Sequence, residues 1–180
     1  SNTECISKPS TAITIVSNPV VGFSGPSNIC IETTTNLSPN TGGIWTSSNT
    51  SVATVDNTGL VTAIGFGSAQ FTFEKTSTGC ESTIGALLNV YTKPVPEIIG
   101  DDEICIGFAT YLTPSSGGTW TSSNTAVAVI SSNGQATGVA SGTASFTFYE
   151  SGSNCVTDAS ALVTVLPKTQ VFIDGDNSIC

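Results

Sequence analysis

Six cysteines at regular intervals constrain this chain more than any other feature of its sequence. The intervals between them alternate between 25 and 50 residues. Each cysteine therefore recurs 75 residues later, in one of two classes. The classes are Cys5, Cys80 and Cys155, and Cys30, Cys105 and Cys180. A fixed period of this length indicates an internal repeat in which each copy is one structural unit.

The rest of the sequence repeats in the same register. Residues 26–92 align with residues 101–167 without a gap and share 27 identities in 67 positions. Both copies contain the strings WTSSNT and FTF. The chain ends align as well, because the segment from Glu4 matches the one from Gly79, and the last ten residues match the ten that begin at Pro96. We therefore expect a segment of a longer array whose partners are neighbouring repeats.

This alignment predicts four parts. They are the last strand of a preceding repeat (1–16), a complete repeat (17–92), a second complete repeat (93–167) and the first strand of a following repeat (168–180). The incomplete ends would leave open sheet edges, so self-association through terminal strands is a further expectation.

Within each repeat, apolar residues alternate with hydroxyl residues, as in AITIV from Ala12, SAQFTF from Ser68 and ALVTV from Ala161. This period of two, rich in β-branched and aromatic residues, predicts strands with one buried face. Glycine- and proline-rich turns separate the strands. About seven short strands in each repeat predict an all-β fold of tandem immunoglobulin-like antiparallel sandwiches, arranged head to tail.

The predicted core consists of the large apolar residues of these strands. It comprises Leu37, Trp45, Val52, Val55, Phe71, Phe73 and Leu87 in the first repeat, and Leu112, Trp120, Val127, Ile130, Phe146, Phe148 and Leu162 in the second. Because each tryptophan recurs at the same place, core packing is favoured over a sugar-stacking role.

Composition excludes several functions. The chain has no histidine, no arginine and a net charge of −9. Nucleic-acid binding needs a cationic surface, so no nucleic-acid partner is expected. Without histidine, the common triad and zinc-protease chemistries are unavailable. No apolar run approaches the roughly 20 residues of a membrane span. We expect no enzyme active site, no catalytic residue and no cofactor.

The stretch GGIWTSSNTSVATVDNTGLVTAIGFGSAQFTF, which begins at Gly42, resembles the bacterial immunoglobulin-like domains of group 2 that are stacked in intimin- and invasin-type adhesins. The second repeat keeps the pattern from Trp120, with Gln135 and Ala136 in place of the Leu-Val pair. The cysteines depart from it and are similar to those in repeats of very large surface adhesins of gliding bacteria. The resemblance implies an extracellular, cell-surface, filamentous adhesin and carries over no catalytic residue.

Cysteines in one repeating register indicate disulfides, since zinc sites need cysteine pairs two to four residues apart and the chain has none. Two pairings are open. One joins Cys30 to Cys80 and Cys105 to Cys155 inside the repeats, and the other joins Cys30 to Cys155 across the junction.

The topology of the sandwich favours the second pairing. Cys30 would end the first strand at the pole facing the next repeat, whereas Cys80 would follow the last hairpin at the opposite pole. A strand of about ten residues at roughly 3.3 Å each separates those poles. A disulfide tolerates a Cα separation of at most about 7 Å. Short, proline-containing linkers together with such bonds would make a semi-rigid rod.

Three further groups of residues are candidates with simpler explanations. Asp101, Asp102 and Glu103, with Asp174 and Asp176 one period later, are weak Ca²⁺ candidates, but a solvated acidic turn is favoured and no metal is expected. Thr33–Thr35 and the threonines of the FTF strands suggest a carbohydrate- or ice-binding face, although threonine also suits exposed strand positions. Lys93 and Lys168 lie in the linkers and are expected to be exposed. The favoured function is an adhesin stalk, and the alternative is a ligand-binding module.

Overall fold

The computed structural model describes residues 13–83, 85–157 and 161–169, and within these ranges the chain forms strands and turns without a helix. The first repeat contains β1 (Gly22–Phe23), β2 (Asn28–Cys30), β3 (Thr34–Ser38), β4 (Gly43–Ser47), β5 (Ala53–Val55), β6 (Leu60–Ala63), β7 (Gly67–Lys75), β8 (Cys80–Glu81) and β9 (Ala86–Tyr91). The second contains β10 (Glu97–Ile99), β11 (Glu103–Cys105), β12 (Ala109–Thr113), β13 (Gly118–Ser122), β14 (Ala128–Ile130), β15 (Gln135–Gly138), β16 (Gly142–Glu150), β17 (Cys155–Val156) and β18 (Ala161–Leu166).

The strands of each repeat form two sheets, which confirms the all-β prediction. In the first repeat the sheets have the orders β1-β3-β6-β5 and β2-β9-β7-β4, with β8 paired to β7. In the second the orders are β10-β12-β15-β14 and β11-β18-β16-β13, with β17 paired to β16. All pairs are antiparallel except β2 with β9 and β11 with β18, which are parallel. The parallel pairs arise because the chain changes sheets after β1 and after β10.

A separate hydrophobic cluster fills each sandwich. Phe71, Phe73, Phe146 and Phe148 are all at most 2% exposed, as predicted from the alternation. The indole ring of Trp45 lies 5.0 Å from the ring of Phe73, and its N–H donates to the carbonyl of Pro39 over 3.0 Å. This bond satisfies the polar atom of a buried side chain, so the tryptophan serves the core.

The second tryptophan makes the equivalent ring contact and hydrogen bond. The ring centroids of Trp120 and Phe148 are 5.0 Å apart, and the indole N–H of Trp120 donates to the carbonyl of Pro114 over 3.0 Å. It is half-buried, however, whereas Trp45 is only 6% exposed. Among the other expected core residues, Leu37, Val52 and Leu112 are buried. The remaining three, Val55, Val127 and Ile130, are partly buried and pack against the clusters.

The prediction for Leu87 and Leu162 is wrong. Their side chains are 55% and 56% exposed, and the neighbouring Leu88 and Val163 fill the core instead. Strand register explains the difference, because β9 pairs with β7 so that Leu88 lies opposite the buried Ala69. Successive side chains of a strand point to opposite faces, so Leu87 must point outward.

The turn between β5 and β6 is held by a carboxylate in the first repeat. The Oδ1 atom of Asp56 accepts from the hydroxyl of Thr58 and from the backbone N–H groups of Thr58 and Leu60. The hydrogen bond from the Thr58 side chain, followed by those from the backbone, lowers the pKa of Asp56. Gly59 completes the turn with φ of 80°. In the second repeat Ser131 takes the place of the carboxylate, so the turn does not depend on a charge.

Two equivalent threonines give a paired prediction on stability. Thr35 and Thr110 are both buried, but only the hydroxyl of Thr35 has a partner among the described residues, the carbonyl of Pro26 at 2.8 Å. Because an unpaired buried hydroxyl costs about 1–3 kcal/mol, Thr110→Val should raise the free energy of unfolding of its sandwich by about 1 kcal/mol. Thr35→Val should lower it by a similar amount. Urea denaturation of both variants checks this, and changes of the same sign would contradict it.

Candidate functional site at the sandwich junction

Cys30 lies at the end of the first sandwich that faces the linker. It is the last residue of β2, and it stands opposite Tyr91, the last residue of the parallel strand β9. The backbone N–H of Ile31 donates to the carbonyl of Tyr91 over 2.9 Å. Since β9 leads directly into residues 92–96, which connect to β10, the parallel pairing brings Cys30 to the junction.

Cys155 lies at the near end of the second sandwich. It begins β17, just after the hairpin from β16, and stands opposite Glu150, the last residue of β16. Glu150 also pairs with Gly118, which follows the turn after β12. The end of β12 pairs with Glu97, the first residue of β10 after the linker. The hairpin with Cys155 is therefore at the pole where the chain enters the second sandwich.

The structure joins Cys30 to Cys155 by a disulfide, with the two Cα atoms 5.6 Å apart and 125 positions apart in sequence. The within-repeat pairs Cys30 with Cys80 and Cys105 with Cys155 do not form. Cys80 and Cys105 are free cysteines in the described part of the chain. Cys5 and Cys180 lie outside the described residues. The bond thus connects the pole of one sandwich to the facing pole of the next.

The two repeats differ in the burial of their equivalent junction residues. In the second repeat Ser153 and Cys155 are 2% and 0% exposed. In the first repeat the equivalent Thr78 is exposed and Cys80 is half-buried. Likewise Cys30 is buried, whereas its equivalent Cys105 is exposed. The hairpin is therefore covered where a sandwich precedes it.

Local hydrogen bonds hold the hairpin around Cys155. The backbone N–H of Cys155 donates to the hydroxyl of Ser153 over 3.2 Å, and that hydroxyl donates to the carboxylate of Glu150. Asn154 has φ of 60°, a left-handed conformation that asparagine tolerates. Sequence reasoning did not identify Ser153 or Asn154. A hydroxyl residue two positions before the cysteine in both repeats was the available signal.

An ion pair lies at the junction end of the first sandwich. The Nζ atom of Lys93 is 3.0 Å from a carboxylate oxygen of Glu32, and the lysine side chain is only 18% exposed. The expectation of an exposed Lys93 is therefore wrong, because the linker places it beside the loop that follows β2. Glu32 is itself 72% exposed. Solvent screening limits such a pair to less than about 1 kcal/mol.

The ion pair is specific to the first repeat. Glu32 adopts φ of 65°, and the equivalent residue is Gly107, with φ of 87°. Lys168 therefore has no carboxylate at the corresponding position. Both repeats have cysteines at the positions used by the disulfide, whereas only the first repeat has both residues of the ion pair.

A cleft of about 420 Å³ opens beside the disulfide. Both sandwiches contribute to its lining, which consists of Pro26, Asn28, Ile29, Cys30, Thr33, Thr34, Ser153 and Asn154. None of these side chains is charged, and the one cysteine is in the disulfide. The lining therefore supplies no general acid, general base or anionic metal ligand.

The calcium candidates lie elsewhere. All three are exposed, with Asp101 and Asp102 in the crossover from β10 to β11 and Glu103 at the start of β11. Within the described ranges, no three acidic, histidine or cysteine side chains are grouped so that they could hold a metal ion. Asp174 and Asp176 lie outside those ranges. The structure thus does not gather the three candidates into a ligand set.

The threonine row is largely engaged within the fold. The hydroxyl of Thr33 donates to the carbonyl of Cys30 over 2.7 Å, and that of Thr35 donates to the carbonyl of Pro26. Thr35 is only 2% exposed, while Thr34 points to solvent. A flat outward array of hydroxyls is therefore not formed by these three residues.

Across the described residues, no helix has the length and apolarity needed to cross a bilayer. No curated protein matches the chain. Among solved structures, it is similar to the C-terminal 282-residue fragment of intimin in complex with the intimin-binding domain of the translocated intimin receptor. The identity is 15% and the TM-score 0.53, and the match covers 83% of this chain and 64% of the fragment.

A second similar structure is invasin, a bacterial integrin-binding protein, at 16% identity with a TM-score of 0.51. That match covers 87% of this chain and 42% of invasin. The chain thus spans less than two thirds of either structure, and at these identities the likeness concerns the fold. The sequence profile of the bacterial Ig-like domain (group 2) matches residues 31–79 and 108–154. Because these segments make up more than half of the sequence, the chain belongs to the bacterial Ig-like domain (group 2) family and contains two tandem copies of its domain.

Proposed function

We propose that the chain is a structural stalk segment of a repetitive extracellular adhesin or surface filament, which projects a distal binding region and bears load. The observation that carries the proposal is the disulfide between Cys30 and Cys155, because it links facing poles of consecutive sandwiches. A stalk needs joints that resist bending. A covalent bond beside a short linker supplies that resistance without any ligand.

Four other observations support a stalk. The 75-residue period gives equivalent cysteines to both repeats, so a neighbouring repeat can form the same joint at Cys80 and at Cys105. The junction cleft has no charged lining. The net charge of −9 favours repulsion between parallel stalks. Similar sandwiches occur in intimin and invasin, whose recorded partners are a receptor domain and an integrin.

Length measurements test the proposal. Residues 18–167, two full periods, can be expressed once and as a head-to-tail doublet, and small-angle scattering can give the maximum dimension of each. Since a nine-residue strand such as β7 spans about 30 Å, each repeat should add roughly 30–40 Å, so the doublet should be about twice as long. This increase in maximum dimension should be present in the oxidised protein, in which the junction disulfides are formed. A doublet no longer than the single form would contradict a rod.

Binding assays separate the stalk from the alternative ligand-binding module. The oxidised chain is expected to be silent on glycan arrays and in ice-affinity partitioning. Thr34→Ala removes an exposed hydroxyl of β3, and Thr72→Ala removes a half-buried hydroxyl of β7. Neither substitution should have an effect in either assay. Saturable binding that either substitution abolishes would favour the ligand-binding module over the stalk.

A further inference from the structure

The disulfide joins the beginning of the first sandwich to the end of the second. Of the described strands, β1 and β2 are the ones that lie up to Cys30, and β17 and β18 are the ones that lie from Cys155 onward. The bond therefore closes a loop that contains residues 31–154 and every other described strand, from β3 to β16. Both hydrophobic clusters are built mainly from residues inside this loop.

The strand directions show that the segments outside the loop connect the far pole of the first sandwich to the far pole of the second. β2 runs parallel to β9, so the chain enters the first sandwich at its far pole and reaches the junction at Cys30. From Cys155 the chain turns back along β16, and β18 pairs antiparallel with β16 from Phe146 to Gly142. It therefore leaves the second sandwich at its far pole. We propose that β1, β2, the Cys30–Cys155 bond, β17 and β18 form a tension strap that carries axial force past both cores.

The strap limits how far the chain ends can be pulled apart because the force path is covalent, so the limit does not depend on the stability of the sandwiches. Tension between the chain ends can load β2 in shear against β9, and β18 in shear against β16 and β11. Even if those pairs separate, residues 31–154 stay inside a covalently closed loop. Releasing that loop would add roughly 400 Å at 3.3–3.6 Å per residue. With the bond intact, unfolding of either core adds none of this length.

The same geometry extends along an array, and this step rests on the proposed stalk function. Cys80 and Cys105 lie at the outer poles of the two sandwiches and are 25 positions apart in sequence. The segment between them contains β8, β9, the linker, β10 and β11. At about 3.3 Å per residue it reaches about 80 Å, which is close to the length of two sandwiches. Joints at both cysteines would make it a second strap, offset from the first by one repeat.

Force spectroscopy on the 180-residue chain, with handles on peptide tags at its two ends, tests the strap. We expect the oxidised protein to lengthen by no more than about 120 Å before the tether breaks, because only residues 1–30 and 155–180 can straighten. At 3.3–3.6 Å per residue these segments reach roughly 190 Å, and two sandwiches already span about 70–80 Å of it. In reductant, it should lengthen in two steps of about 200 Å, one for each sandwich. The variant Cys30→Ser/Cys155→Ser should show the two steps without reductant.

The matched control is Cys80→Ser/Cys105→Ser, which removes two cysteines but keeps the bond and should behave like the oxidised parent. Steps of about 200 Å in protein whose Cys30–Cys155 bond has been verified by mass would overturn the strap, and so would the absence of steps after reduction. Ligand binding in the assays above would instead remove the stalk function and leave the mechanical result intact.

Discussion

Phe71→Ala should lower the free energy of unfolding of the first sandwich by about 4 kcal/mol, since truncating a buried phenylalanine removes its transfer free energy and leaves a cavity. Phe71 is fully buried and makes an edge-to-face contact with Phe23, with ring centroids 6.4 Å apart. A sandwich of about 75 residues has a small core, so a loss of this size should unfold much of the population. Urea denaturation followed by tryptophan fluorescence measures it, with one indole in each sandwich.

The control for this substitution lies in the same sheet. Leu87 stands opposite Gln70, next to Phe71, but its side chain is 55% exposed. Leu87→Ala should therefore change the free energy of unfolding by no more than about 0.5 kcal/mol. Phe146→Ala and Leu162→Ala repeat the comparison in the second sandwich. Equal losses at the phenylalanine and leucine positions would refute the register described above.

The sequence predicted the fold because its information is repeated. The alternation of apolar and hydroxyl residues indicated strands, and the 75-residue period aligned the strands of one repeat with those of the other. Phe71 and Phe146 could be assigned to the core because polar or small residues flank them. Leu87 and Leu162 could not, because each has an apolar neighbour at position 88 or 163. In such a pair, only the register with β7 or β16 decides which side chain faces inward.

The junction was partly accessible to the same reasoning. The positions of Cys30 and Cys155 at facing poles followed from strand order alone. The local supports did not, because the hydrogen bond from Ser153 to Glu150 depends on the hairpin conformation. Lys93 was expected in solvent since linkers are usually exposed. Its contact with Glu32 depends on the path of the linker past the loop after β2, which no sequence pattern encodes.

Replacing the junction disulfide should cost about as much as truncating Phe71. Closing a loop of this length is worth roughly 4–5 kcal/mol on the chain-entropy model, so Cys30→Ser/Cys155→Ser should lower the free energy of unfolding by about that amount under oxidising conditions. The variant should also show a broader distribution of distances between the sandwiches in small-angle scattering. The control Cys80→Ser/Cys105→Ser removes the same number of thiols and should change neither property.

Peptide mapping establishes which bond these measurements report. Cleavage after glutamate and lysine under non-reducing conditions separates the candidate partners of fragment 5–32, which contains Cys30. Cys155 falls on fragment 151–168 and Cys80 on fragment 76–81. The junction disulfide predicts that 5–32 is linked to 151–168, and a further cut after Phe23 assigns the link to Cys30. A link from Cys30 to 76–81 would mean that each repeat closes on itself. The two sandwiches would then be joined only by residues 92–96, and the chain would bend at that linker.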